Sequence, residues 1–318
     1  MAIILLTGAS SFTGYWIAVA LARQGHKVLA PLRRRQLAYG GLRQERVEAL
    51  RKVADIIFDA PFGSKRFLQL AETEQVTLLA HHAADIPDYR AADYDVAAGV
   101  ARNTDGVRDV FRALARSGTK AVIVTGTTFE AGEGESNPSS LAVSPYGLSK
   151  TLTNQALRHF AQWEGIGFAK FVIAAPFGAF EEGRFAWSLF QQWFDDKPGI
   201  VRTPRYVRDN IPVPLLADAY VALVGELLAA PNREVVSRPS GIVGTQAEFA
   251  ETLALRARSL LGLRCTIRLL DQPTLAEPEH RTNDQPWMKR CWDEAGFWDD
   301  YLGYYRRIAA QGLLSAPP

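Results

Sequence analysis

The sequence predicts a doubly wound α/β fold: a parallel sheet covered on both faces by helices (Rossmann type), followed by a smaller, mixed and mostly helical C-terminal part. Three observations predict it. Short aliphatic runs alternate with longer stretches of helical periodicity through the first 176 residues. The first run breaks into TGASSFTG, a glycine-bearing turn that opens a helix. After Pro176 the alternation stops, and prolines and aromatics become dense, as in FGAFEEGRFAWSLFQQWFDDKPG.

The predicted strands are residues 2–7, 27–32, 54–58, 76–80, 120–125 and 168–174, each apolar nearly throughout, as strands buried on both faces must be. Between the first two, Ile17, Ala20 and Leu21 share a helical face, and Gly25 stands where a helix stop is expected. Sheets of this kind bind ligands beyond the carboxyl ends of their strands. The loops after Thr7, Leu32, Phe58, Ala80 and Thr125 therefore frame the expected site. A T-x-x-E capping box at Thr245 and Glu248 opens one further helix, EFAETLALRARSLLGL. The tail from Ser315 to Pro318 is expected to fray. The organisation expected is a dinucleotide-binding domain over 1–176 and a substrate-binding domain over 177–318, with about 206–243 packing back on the first.

Composition bounds the partners. The chain has 318 residues, 47% hydrophobic and 22% charged, and a formal charge of +2, which gives no global attraction to nucleic acid or an anionic membrane. No apolar stretch approaches the roughly 20 residues needed to span a bilayer, and a cytoplasmic location is expected. Cys265 and Cys291 lack metal-ligand spacing, suit a reducing compartment and do not read as catalytic; no metal site is expected.

Three stretches carry chemistry. In TGASSFTG, Gly8 permits a tight turn, and the helix start offers unpaired N–H groups and a positive dipole end to a pyrophosphate. Ser11 stands where a third glycine is usual; with an ordinary φ its hydroxyl could add a donor to a phosphate. In YGLSK, Tyr146 and Lys150 lie four apart on one helical face, and an ammonium near a phenol favours the phenolate, making the tyrosine a usable proton donor and acceptor. The stretch VIVTGTTFE presents the hydroxyls of Thr125, Thr127 and Thr128 at the ligand end of a strand.

In this order the three stretches resemble the extended short-chain dehydrogenase/reductase family, whose members include NAD(P)-dependent sugar-nucleotide epimerases, dehydratases and reductases. Further matches are Ala80-His81-His82-Ala83-Ala84, Asn103-Thr104-Asp105-Gly106, Asp59 with Ala60, and Arg208-Asp209-Asn210-Ile211-Pro212-Val213 followed by Asp218-Ala219. The resemblance implies Tyr146 as acid/base, Lys150 as its electrostatic partner and ribose ligand, and Thr127 as the hydroxyl on the reacting oxygen, with Thr128 one residue away as the alternative and a substrate contact. It implies cofactor contacts at Gly8, Ser10, Ser11, Phe12, Thr13, Gly14, Arg33, Arg34, Asp59, Ala60, His82, Ala83, Ala84, Lys150 and Pro176. Arg208 and Arg281 would meet a substrate diphosphate, and Trp187, Phe190 and Trp193 would line a base or belong to the core. His81 and His82 read as structural or cofactor-lining.

Two departures sharpen the reading. Leu32 occupies the position where NAD-using members carry an acidic residue, and Arg33, Arg34 and Arg35 follow, supplying positive charge for the 2′-phosphate of NADP. Thr128-Phe129 stands where 4,6-dehydratases carry Asp-Glu. The expected function is an NADP-dependent reductase of a nucleoside-diphosphate keto-sugar. The alternatives are an NAD-dependent sugar-nucleotide epimerase and a non-catalytic NAD(P)-binding regulator. A homodimer is expected through the helices over 93–117 and 145–164.

Overall fold

A seven-stranded parallel sheet organises the chain. The computed structural model describes every residue except 86–90, 135–140, 232, 273, 275–277, 289–291 and 316–318, so Cys291 and the last three residues lie outside the described residues. In chain order the first elements are β1 (Ile3–Thr7), α1 (Phe12–Arg23), β2 (Lys27–Pro31), α2 (Gly41–Leu50), β3 (Asp55–Ile57), α3 (Lys65–Thr73), β4 (Leu78–His81), α4 (Val96–Thr104), α5 (Val107–Arg116), β5 (Ala121–Thr127), α6 (Pro145–Trp163) and β6 (Gly167–Ile173). There follow β7 (Ala175–Phe177), α7 (Phe185–Phe194), β8 (Gly199–Val201), β9 (Val207–Pro212), α8 (Val213–Ala229), β10 (Val235–Ser237), β11 (Pro239–Ser240), β12 (Ile242–Thr245), α9 (Gln246–Leu261), β13 (Ile267–Leu269), β14 (His280–Arg281), β15 (Gln285–Pro286) and α10 (Glu294–Ala310).

The sheet order is β10-β6-β5-β4-β1-β2-β3. Strand side chains alternate between its two covered faces. Ile4, Leu6, Val28, Ala30, Leu78 and Ile123 enter a core shared with α1 and α8, while Leu5, Leu29, Leu79, Val122 and Val124 enter one shared with α3, α5 and α6. Truncating a fully buried leucine such as Leu5 or Leu79 to alanine would cost about 2–5 kcal/mol. A third core joins α7, α9 and α10, and Trp187, Phe190 and Trp193 belong to it.

Two expectations change. The stretch 93–117 is two helices, because Gly106 takes φ +66° where the chain presses on Gly63; a Cβ at Gly106 would lie 2.8 Å from the Gly63 Cα. The fifth strand runs two residues beyond the predicted end, so Thr127 closes β5 rather than following it. After β9, α8 lies on α1, and β10 pairs in parallel with β6. A smaller sheet, β12-β9-β14 with β7 also on β9, sits beyond the strand ends.

Candidate active site

The order of strands reverses between β1 and β4, and the crevice that this creates opens a cleft of about 1210 Å³ along the carboxyl ends of the strands. At its floor the turn after β1 is built by close backbone contacts. Gly8 takes φ +73°, and a Cβ there would lie 2.8 Å from the Ala83 N; a Cβ on Gly14 would lie 2.2 Å from the Gly8 carbonyl oxygen. Ser11 explains why a third glycine is dispensable. Its φ of −76° is ordinary, and it is the N-cap of α1, its Oγ accepting from the Gly14 N at 3.1 Å. With Gly14 N so satisfied, the amides of Phe12 and Thr13 in the first turn remain without intrahelical acceptors and supply the positive end of the helix.

The two histidines stitch this turn to its neighbours. His82 bonds the Thr13 hydroxyl through Nε2 at 2.8 Å and the Thr125 hydroxyl through Nδ1 at 2.9 Å, while His81 Nδ1 meets the Thr7 hydroxyl at 3.2 Å. Burial, then the charge of Lys150, pushes His81 down to about 3 and His82 to about 4, so both are neutral at physiological pH.

Tyr146 and Lys150 come from the start of α6. Ser144 caps that helix by accepting from the Gly147 N, and Pro145 occupies its first turn. Gly147 is required there, since a Cβ would lie 2.1 Å from the Phe129 carbonyl oxygen; the helix start thus seats directly on the loop after β5. The Tyr146 ring stands edge-on to Phe129 and Tyr94, with centroids 6.0 and 6.3 Å away. Lys150 is buried and donates to the Thr125 carbonyl at 2.7 Å. Burial lowers its pKa, the Glu130 carboxylate raises it and Lys170 lowers it again. The Thr127 N donates to Glu130 Oε1 at 2.8 Å, and Thr128 is buried beside it.

At the far wall, β14 pairs in parallel with β9 so that Arg281 and Arg208 are register partners. Their side chains therefore project from the same face of the small sheet, and both line the cleft. Arg208 donates to the carbonyls of Val207 and Glu279 at 2.8 and 2.9 Å and lies 4.2 Å from the Tyr206 ring centre; Arg281 lies 3.8 Å over Phe129. Asp209, on the opposite face of β9, is fully buried and accepts from the Gly241 and Asn283 amides.

Of the residues singled out from sequence, Gly8, Ser10, Ser11, Thr13, Arg33, Arg34, Ala60, His82, Ala83, Ala84, Thr127, Thr128, Tyr146, Lys150, Pro176, Arg208 and Arg281 line this one cleft. Phe12 and Gly14, in the same turn, are not among its lining residues. Asp59 does not line it: at φ +57° its exposed carboxylate turns to Arg35, 3.8 Å away. Arg33 reaches Asp85 at 2.8 Å, a carboxylate it shares with Arg102. Trp187, Phe190 and Trp193 are core, as their helical spacing allowed.

Three groups were not singled out. Arg43 enters the cleft from α2. Arg46, fully buried, ties the glycine turn to the loop after β7 by donating to the Ser10 and Phe180 carbonyls and pairing with Glu182 at 2.6 Å. Glu130 is buried behind Thr127. No short motif marks any of them. Among the described residues no helix is long and apolar enough to cross a membrane, and no cluster of His, Cys, Asp and Glu could hold a metal ion.

A search of curated proteins finds no match to the chain. Solved structures do match its fold. UDP-glucuronic acid 4-epimerase from Bacillus cereus, a variant in complex with UDP-4-deoxy-4-fluoro-glucuronic acid and NAD, is 18% identical with a TM-score of 0.74, covering 96% of this chain and 99% of that one. UDP-glucose 4-epimerase from Thermotoga maritima with UDP-glucose is 18% identical at 0.73, over 96% and 99%. UDP-N-acetylglucosamine 4-epimerase from Methanobrevibacter ruminantium with UDP-N-acetylmuramic acid is 17% identical at 0.74, over 98% and 99%. The model of the NAD dependent epimerase/dehydratase family matches residues 4–235, the span that carries the glycine turn, the Tyr–Lys helix and the first of the paired arginines. The chain belongs to the NAD dependent epimerase/dehydratase family.

Proposed function

We propose that the protein is a sugar-nucleotide epimerase that works through a nicotinamide dinucleotide. The observation that carries this reading is the joining, in one cleft, of the N-terminus of α1, the Thr127, Tyr146 and Lys150 side chains, and the register partners Arg208 and Arg281. The solved structures named above, whose own complexes hold NAD or UDP-sugars, favour this over the reductase expected from sequence.

The residues fit the dinucleotide. Gly8 and Gly14 leave no room for a Cβ, so the turn packs backbone on backbone at the helix start, where the first-turn amides of α1 would meet a pyrophosphate. The nicotinamide supplies a hydride acceptor and donor. Tyr146, one helical turn before Lys150, takes the proton from a sugar hydroxyl and later returns it. The Thr127 hydroxyl bonds the same oxygen. Arg208 and Arg281 hold the diphosphate, so the sugar can present its other face without leaving the site.

Incubation with UDP-glucose, UDP-glucuronic acid and UDP-N-acetylglucosamine, read by proton NMR of the sugar, is expected to show an epimer from at least one. Mass spectrometry of the dinucleotide released by acid is expected to show it retained. Epimer from none of the three would overturn the reading.

One observation favours NADP over NAD in this site. Leu32 ends the second strand region, and Arg34 and Arg43 line the cleft beside it. Burial and then Arg46 lower the Arg43 pKa while Glu182 raises it, and a phosphate beside it would add to the raising side. Tighter binding of NADPH than NADH, lost in Arg43→Gln, is the expected result; equal binding assigns the cofactor as NAD. The division at residue 176, with 206–243 returning to the sheet, the cytoplasmic setting and a homodimer remain part of the proposal; exposed Leu148 and Leu152 on α6 support the last.

A further inference from the structure

Behind the cleft runs a buried ladder of alternating charge. Glu130, with no exposure, accepts from the Thr127 N through Oε1 at 2.8 Å, and through Oε2 from Asn154 Nδ2 and Lys170 Nζ, both at 2.7 Å. Lys170 also meets Glu133 at 2.9 Å, and Glu133 pairs with Arg238 at 2.7 Å. The ladder occupies space that a side chain at residue 126 would need: a Cβ on Gly126 would lie 2.6 Å from Lys170 Cε and 2.9 Å from Glu130 Oε1. The glycine of TGTTFE thus makes room for the carboxylate.

Two features separate Glu130 from an ordinary buried ion pair. Its partners are the backbone of Thr127 and, through Asn154, the helix that carries Tyr146 and Lys150. The Arg238 end of the ladder extends toward the C-terminal segment, since the Arg238 N donates to Gln285 Oε1 at 2.7 Å. We infer that Glu130 is a positioning residue for Thr127, Tyr146 and Lys150: one oxygen fixes the backbone at Thr127, and the buried charge is the counter-charge that keeps Lys150 an ammonium. This rests on the reading of those three residues as the catalytic group.

Among the described residues, the charged and titratable groups around Lys150 are Tyr146 on its own helix, Glu130 on the loop after β5, Lys170 on β6, and His81 and His82 at the end of β4, both neutral. Glu130 and Lys170 act on it with opposite signs.

The test labels Lys150 with trace acetic anhydride across pH and reads its peptide by mass spectrometry, which needs no substrate and so stands or falls apart from the epimerase reading. In Glu130→Gln the labelling midpoint of Lys150 is expected at lower pH than in the natural protein, in Lys170→Met at higher pH, and in the double variant between the two. Where a turnover assay exists, Glu130→Gln is also expected to lower kcat with KM little changed. Midpoints that do not move, or that move in the same direction in both single variants, overturn the inference. Should Glu130→Gln fail to fold, Lys170→Met decides: an upward shift supports the counter-charge model, and no shift refutes it.

Discussion

Glu181, in the loop between β7 and α7, predicts a pH dependence of stability that a single amide substitution should remove. The carboxyl has no exposure; Oε1 accepts from the hydroxyls of Tyr301 and Tyr305, both at 2.5 Å, and the Tyr304 hydroxyl bonds its backbone carbonyl at 2.6 Å. Burial pushes it up from the ordinary 4.5 to about 7, against the opposing pull of the two tyrosine bonds and of Arg184. The unfolded chain therefore releases this proton near 4.5 and the native chain near 7. Between those values the native state holds more protons, so stability falls as pH rises through the window. At about 1.36 kcal/mol per pH unit, the loss between pH 5 and pH 8 is about 2.5 kcal/mol. Glu181→Gln keeps an acceptor for the tyrosines and cannot ionise. Its stability relative to the natural protein should thus climb by about 2.5 kcal/mol from pH 5 to pH 8. Urea unfolding followed by tryptophan fluorescence at both pH values measures this. A constant difference between the two proteins would refute the reasoning, because the new amide's fixed cost or gain shifts both pH values equally.

Tyr146→Phe should bind cofactor normally and lose activity by about 10²-fold or more, while Lys150→Met should weaken both rate and cofactor affinity; steady-state kinetics and fluorescence titration separate them. UDP alone should bind with an affinity that falls as salt rises, and Arg208→Ala should weaken it by about 2–5 kcal/mol without altering dinucleotide binding, as calorimetry can show. Below pH 6.5 the fold should weaken as His81 and His82, neutral in the native state, are charged in the unfolded chain, and the loss should continue down to about pH 3 to 4; unfolding midpoints across that range would show it. Light scattering at micromolar concentration should give twice the monomer mass, and Leu148→Glu with Leu152→Glu should halve it.

The parts of the site legible in the sequence are those whose geometry is local. Gly8 and Gly14 lie in one turn, Tyr146 and Lys150 on one helical face, and Thr127 at a strand end, so spacing alone carries their arrangement. Arg208 and Arg281 were legible as candidates but not as neighbours, because the pairing of β9 with β14 joins distant segments. Val235–Ser237 joins the sheet edge through an equally remote partner. Arg43 and Glu130 were silent: a charged residue on an amphipathic helix or in a loop reads as solvated until the surrounding chain buries it. Asp59 went the other way, an acidic residue in a suggestive position whose left-handed backbone turns it toward Arg35.

The β9–β14 register has a thermodynamic consequence. Arg208 and Arg281 are register partners on one face of the small sheet, Arg208 bonding the Glu279 carbonyl and lying over Tyr206, Arg281 lying over Phe129. On the reading proposed above, an anion bridging the two arginines would fasten the C-terminal segment to the middle of the chain and link ligand occupancy to the docking of β14. At a hundredfold excess over its dissociation constant such a ligand adds about 2.7 kcal/mol to the folded state. On the reading proposed above the ligand would act as a clasp, and the segment carrying Arg281 is where protection from proteolysis or hydrogen exchange should rise first.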